Sequence, residues 1–347
     1  MNVPRKDLLN QFPANTFEPD SCFAQNYFSG RAASLCPTQL CRRHNSLFKV
    51  DFLGSDIEVA GLPCQPNSKA GKRLYQEDPR FTAYIAWAFG HIQRRTPLLI
   101  LENVVDLPLD IIGILLGQHY TMWPMRVSPD DCGHQGVSRA RVYVFLLHKE
   151  RGVMLFDPQL LYSIIATELQ KVIHLSPADY LVATDLEIAF ELSSLPESRR
   201  RGKGYYLGQR DLTPFLTDAE KRVVQTLNNQ YKERFGKEPD NQRDLCYFLG
   251  DSGVYQSWSA TSNRIPAFRR SNHAFTWFPH HRRWMMAVDK LTALGFPVSR
   301  QHAAQAGVHP IPVKDFRRAS TLAGNCMHFA NVAVVELVGL MCFGKRY

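Results

Sequence analysis

The chain has 347 residues, 45% of them hydrophobic, with eight cysteines and a formal charge of +9. That length and apolar content exclude a disordered chain and provide for one large or two moderate domains, while a basic excess concentrated in two stretches favours a polyanionic partner. The cysteines are scattered, with no Cys-x-x-Cys pair and no secretory signal, which excludes a disulfide framework and a zinc site and points to a reducing compartment rather than secretion.

From Phe48 onward, short apolar runs alternate with helical patterns. "IEVAG" (57–61) reads as a strand, 80–95 as a helix, "LLILENV" (98–104) as a strand, 109–117 as a helix and "RVYVFLLHK" (141–149) as a strand. This β-α-β-α-β order predicts an α/β fold with a parallel sheet and crossover helices. The apolar stretch 96–117 is interrupted by Glu102, Asp106, Pro108 and Asp110, so it does not read as a membrane span. In sheets of this class ligands gather beyond the carboxyl ends of the strands, which is where both Cys64 and Glu102 fall.

Beyond Phe156 the alternation is lost. "RRRGKGYYLGQR" (199–210) gathers Arg199, Arg200, Arg201, Lys203 and Arg210 around two tyrosines without an acid. A polar helix is expected near 217–235, opening on Thr217 or Asp218 as its N-cap, with a solvated charged face. A second run, "RIPAFRRSNHAFTWFPHHRRW" (264–284), carries five arginines and again no acid. Interleaved arginine and aromatic residues suit phosphate contact with base stacking, and equally suit a basic surface loop anchored by core aromatics. The apolar stretch 328–343 is expected to form a closing helix.

Five segments in order resemble the cytosine-C5 methyltransferase family: "GLPCQPNS" (61–68) its Pro-Cys-Gln loop, "LENV" (101–104) its Glu-Asn-Val motif, and "SRARVY" (138–143) its Arg-x-Arg motif. "RRWMMAVDKLTALGFP" (282–297) is similar to the segment that opens the return to the catalytic domain, and "AGNCMHFANVAVVEL" (323–337) to the closing Gly-Asn motif. Glu102 lies 38 positions after Cys64, the family's usual spacing, and the resemblance runs from about residue 18 to the C-terminus. It implies a Rossmann-like S-adenosylmethionine-dependent methyltransferase sheet with an inserted, mixed target-recognition domain. The expected division is 1–150 catalytic, 151–281 target recognition and DNA binding, and 282–347 the return to the catalytic domain.

The resemblance implies DNA cytosine-C5 methylation with S-adenosylmethionine as methyl donor and no metal. Carbon 5 of cytosine is a poor nucleophile, so a thiolate adds first to carbon 6. Cys64 takes that role and Glu102 that of the acid at ring nitrogen 3. Arg141 orients the base and Arg139 holds the site or meets phosphate, either of them lowering the thiol pKa. For the cofactor the resemblance assigns Glu18 to the ribose, Asp51 or Asp56 to the adenine, and Pro63 and Asn325 to the pocket. For DNA it assigns Gln65 and Ser68 to the extruded nucleotide, together with Arg200, Arg201, Arg269 and Arg270 in the basic runs. No membrane partner is expected, and the compartment is the nucleus in a eukaryote or the cytoplasm otherwise.

Several positions depart from the family pattern. The Phe-x-Gly-x-Gly cofactor loop is not found, and the placement of Glu18, 46 positions before Cys64, would put it before Met1, so a chain lacking its first strand is expected. Val137 stands where the family has Gln, Asp289 where it has Glu, and Cys326, Met327 and His328 replace the usual residues after Gly324 and Asn325. Two alternatives remain at this point: a non-catalytic DNA-binding remnant of such an enzyme, and a tRNA cytosine-C5 methyltransferase.

Overall fold

The structure is a computed structural model that describes residues 55–67, 74–200, 204, 206–250, 262–268 and 275–346, with the backbone of 38–41 and 46–49. The chain divides into two compact units, the first comprising 1–125, 142–157 and 339–347 and the second 126–141 and 158–338.

The first unit is built on a four-stranded sheet in the order β3-β4-β6-β5, preceded by a small antiparallel hairpin of β1 (Thr38–Cys41) and β2 (Ser46–Lys49). β3 (Ile57–Gly61) and β4 (Leu98–Val104) pair in parallel, Ile57 opposite Leu98 and Gly61 opposite Glu102, with helix α1 (Thr82–Arg94) in the crossover. The α/β expectation therefore holds.

Helix α2 (Leu109–Leu116) follows β4, and β6 (Arg141–His148) completes the expected alternation. The sequence reading missed β5 (Tyr120–Val127), a strand containing Pro124 at the edge of the sheet. An edge strand tolerates proline because its missing N–H faces no partner, and the same residue breaks the pattern by which a strand is recognised.

β4 reads as a near-continuous apolar run because both of its faces are covered: Leu98, Leu99, Ile100 and Leu101 are all buried. One face packs on α1 and α2 through Tyr84, Ile85, Ala88, Ile112 and Leu116. On the other, a β-carbon added at Gly339 would sit 3.1 Å from Ile100 and 3.3 Å from Phe145, so the absent side chain lets the last turn of the closing helix approach the sheet. β11 (Phe343–Lys345) then pairs antiparallel with β7 (Gly152–Met154).

The second unit carries helices α3 (Pro158–Val172), α4 (Asp185–Ser193), α5 (Glu197–Arg200) and α6 (Asp218–Phe235), and a three-stranded antiparallel sheet of β8 (Tyr247–Phe248), β9 (Thr276–Phe278) and β10 (Arg283–Trp284). The expected N-cap of α6 is Thr217: its hydroxyl accepts from Glu220 N at 3.2 Å while the Glu220 carboxylate accepts from Thr217 N at 2.8 Å. Leu212, Phe215, Leu227, Tyr247, Trp277 and Trp284 form the core beneath it. Four helices follow, α7 (Ala287–Thr292), α8 (Arg300–Gln305), α9 (Phe316–Asn325) and α10 (Phe329–Cys342), and residues 282–338 cluster with this unit. Among the described residues no single helix is long and apolar enough to cross a membrane.

Candidate functional site

In the first unit, Cys64 lies three residues beyond the end of β3, and Glu102 stands directly opposite Gly61 on β4. The parallel register thus brings both predicted groups to the carboxyl edge of one strand pair. Cys64 is a free thiol of intermediate exposure, and Glu102 is buried.

The loop that carries Cys64 is pinned at several points. Its turn closes through Asn67 N to the Cys64 carbonyl at 3.0 Å, and Tyr75 N binds the Pro66 carbonyl at 3.1 Å. Asn103, the neighbour of Glu102, donates its amide to the Leu62 carbonyl at 3.1 Å and to the Tyr84 hydroxyl at 2.7 Å. Tyr84, fully buried on α1, also receives the Asn67 amide at 3.0 Å and donates to the Pro63 carbonyl at 2.8 Å. One hydroxyl therefore ties helix, loop and β4 together.

Sequence reading missed Tyr84, whose position on the apolar face of α1 gives it the appearance of an ordinary core residue. Burial pushes its hydroxyl well above the usual range, the Asn103 hydrogen bond opposes this, and negative charge at Cys64 and Glu102 adds to the rise. Cys64 and Glu102 thus act electrostatically on the same hydroxyl. Arg80 was also missed. Its guanidinium grips Asp78 at 2.6 and 2.8 Å, the main reason its pKa is raised, and charge at Cys64 raises it further.

In the second unit, Arg139 is buried and donates to the Cys326 carbonyl, in the turn that follows α9. Arg141 bonds the Ala140 carbonyl at 2.8 Å, and Asn325 is exposed at the end of α9. The segment before Arg139 is held by a bridge of Val137 to Ile265, with Ser138 N to the Ile265 carbonyl at 2.9 Å and Ile265 N to the Gly136 carbonyl at 2.7 Å. His134 and His328 meet edge to face at 4.7 Å, and His134 Nδ1 lies 3.0 Å from the Tyr180 hydroxyl. Burial lowers His134 to about 4, helped by charge at His302. It lowers His328 as well, with His134 and Arg139 adding to the effect.

The two basic runs look different in three dimensions. Arg199 forms a two-pronged pair with Glu220, at 2.6 and 2.9 Å, and lies 5.0 Å over the Phe275 ring. Arg264 pairs with Asp130 at 2.8 Å, and Arg283 with buried Asp289 at 2.5 Å. Arg282 lies 3.4 Å from Asp211 and 3.7 Å from Asp240. The acids absent from each run come from elsewhere in the chain. Arg200 is exposed, its Nε on the Leu195 carbonyl at 2.9 Å.

Glu18, Asp51, Ser68, Arg201, Arg269 and Arg270 lie outside the described residues. Of the other residues assigned to the cofactor, Asp56 pairs with Lys345 at 2.7 Å and the Pro63 carbonyl is taken by Tyr84. The described residues therefore supply only part of the set assigned to S-adenosylmethionine. Among the described residues no group of three or more His, Cys, Asp or Glu is arranged to hold a metal ion.

No family model and no curated protein matches the chain. Solved structures similar to it include a methyltransferase of Entamoeba histolytica, EhMeth, at 15% identity and a TM-score of 0.44 over 81% of this chain and 75% of that one. Another is the Dnmt2 methyltransferase of S. pombe, at 12% identity and a TM-score of 0.45 over 82% and 77% of the two chains. A third is a putative DNA modification methyltransferase encoded within an E. coli prophage, at 13% identity and a TM-score of 0.43 over 95% and 85%.

Proposed function

We propose that this chain is a nucleic-acid cytosine-C5 methyltransferase acting on DNA, with Cys64 as nucleophile and Glu102 as the acid at ring nitrogen 3. The observation that carries the reading is the register of β3 and β4, which sets Glu102 opposite the start of a loop whose backbone is pinned around Cys64. A nucleophile and an acid held on rigid strand ends are what conjugate addition to a pyrimidine requires.

In this reading the Cys64 sulfur forms a bond to carbon 6. The electron pair of the 5,6 double bond moves toward nitrogen 3 as Glu102 delivers a proton there, leaving an enamine nucleophilic at carbon 5. The methyl donor, when bound, supplies the electrophilic methyl group. Loss of the carbon 5 proton to a base then expels Cys64 as the thiolate, and return of the nitrogen 3 proton to Glu102 restores the neutral ring. Arg141 orients the base, and Arg139 acts as a positioning residue through the Cys326 turn. Gln65 and Ser68 meet the extruded nucleotide, and Arg200, Arg201, Arg269 and Arg270 meet phosphate.

The test is transfer of a labelled methyl group from S-adenosylmethionine to cytosine-containing duplex DNA, with tRNA as a parallel substrate. Incorporation into carbon 5 of DNA cytosine, abolished by Cys64→Ala, is the expected result. Incorporation into tRNA alone reassigns the substrate. Salt-sensitive DNA binding with no incorporation, unaffected by Cys64→Ala, identifies a non-catalytic binding protein instead.

A further inference from the structure

Two buried imidazoles of the second unit, His134 and His328, have no role in the cytosine chemistry. They meet edge to face at 4.7 Å, and each is fixed on its far side. His134 Nδ1 lies 3.0 Å from the Tyr180 hydroxyl, and these two rings stack at 5.9 Å and 12°. His328 Nδ1 accepts from Asn331 N at 3.4 Å.

A backbone N–H can only donate, so the His328 nitrogen facing Asn331 carries a lone pair and the ring is the neutral Nε2–H tautomer. A further proton would have to enter between that nitrogen and the Asn331 donor, in a buried site beside a guanidinium that is always charged. Burial likewise disfavours a charge on His134, and His302 of α8 opposes it. Tyr180, kept a neutral hydroxyl by burial and by charge at Asp179 and Asp130, completes the titratable groups around the pair. Both rings are therefore uncharged at neutral pH.

The path of the chain gives this pair its place. His134 lies five residues before Arg139, and His328 two after Cys326. The segment 134–139 and the turn between α9 and α10 are thus tied twice, by Arg139 on the Cys326 carbonyl and by His134 against His328. One tie leaves a segment free to pivot, whereas two fix its direction, and Arg141 stands only two residues beyond Arg139. His328 is among the residues that replace the family's usual ones after Asn325, so the second tie is a feature of this chain.

We propose that His134 and His328 are positioning residues for methyl transfer: their neutral pair is the second point of a two-point clasp that fixes the segment leading into Arg141. The inference rests on the cytosine reading above for the role of Arg141, while the clasp itself stands on the contacts of the second unit.

The experiment is a double-mutant cycle on the full chain, read as kcat for methyl transfer to cytosine-containing duplex DNA. His328→Leu removes the ring edge and should lower kcat about tenfold, the upper end of what one aromatic pair contributes. His328→Phe restores a neutral ring against His134 and should stay within about threefold of the parent. In an Arg139→Met chain the clasp is already broken, so adding His328→Leu should change kcat by less than about twofold. An equal loss in both backgrounds marks an independent packing role and overturns the inference. Nitrogen-15 NMR of the histidine-labelled parent needs neither activity nor a variant: both rings should stay neutral at about pH 5.5, with His328 as the Nε2–H tautomer. Titration of either ring near 6.5, or a proton on His328 Nδ1, overturns it as well. Methyl transfer with additive losses refutes the clasp and spares the proposed function. Neutral rings of the expected tautomer in a chain that transfers no methyl group uphold the clasp and refute that function.

Discussion

Replacing Tyr84 with phenylalanine removes one oxygen and nothing else. The ring stays stacked on Phe81, whose centroid lies 4.9 Å away at an interplanar angle of 10°, so packing is retained. The lost hydroxyl accepts from Asn103 and Asn67 and donates to the Pro63 carbonyl, and Tyr84 and both asparagines are buried. Burial and nearby negative charge hold its pKa up, so it remains a donor across the neutral pH range. Asn103 keeps the Leu62 carbonyl at 3.1 Å, but Pro63 and Asn67 lose their short partner. At roughly 1–3 kcal/mol for each buried polar group left unpaired, the loss should be about 3 kcal/mol. Urea unfolding followed by far-UV circular dichroism should show a midpoint lower by about 1 M, taking a slope near 3 kcal/mol per M. Because the same hydroxyl pins the loop, Cys64 alkylation by iodoacetamide should accelerate and methyl transfer should slow. A midpoint shift below about 0.2 M with unchanged alkylation would refute the assignment of Tyr84 as the hub of this loop.

Burial raises Glu191 to about 7. For an acid this stabilises the fold at low pH, and the contribution is lost as pH rises from about 4.5 toward 7. Glu191→Gln should therefore be more stable than the parent at pH 8, by up to about 3 kcal/mol, with the difference vanishing near pH 4 in pH-dependent thermal unfolding. His134 carries the opposite sign: its pKa falls from 6.5 to about 4, so stability is full above 6.5 and is lost as pH falls through that window. His134→Gln should flatten the acid limb of the same stability profile by about 3 kcal/mol. Arg199→Met, which leaves Glu220 half-buried without its partner, should cost about 2–4 kcal/mol in urea unfolding. Its effect on DNA affinity should be small beside that loss, since its guanidinium is already engaged.

The candidate site was legible because its chemistry is local. "GLPCQPNS" and "LENV" each occupy one strand end, and an apolar strand followed by an amphipathic helix leaves little choice but a parallel crossover. Thr217 and Glu220 could be placed at the start of α6 for the same reason, since a cap is satisfied within one turn. Strand β5 was illegible because Pro124 interrupts it and only its edge position makes that tolerable.

The basic runs mark the limit of such reading. From the sequence, Arg199, Arg264, Arg282 and Arg283 stand among aromatics with no acid beside them, as a phosphate-binding surface would have them. Their partners Glu220, Asp130, Asp211, Asp240 and Asp289 come from other segments of the same unit. Tyr84 is the same case in the first unit, an apolar-face residue whose hydroxyl becomes a hub once β4 and the Cys64 loop close around it. The sequence by itself determined which groups could do chemistry and the elements that carry them, because backbone periodicity and capping act over a few residues. Only the tertiary structure decided which charges and hydroxyls are already engaged, because pairing depends on distance in space and segments far apart in the chain meet only when the core forms.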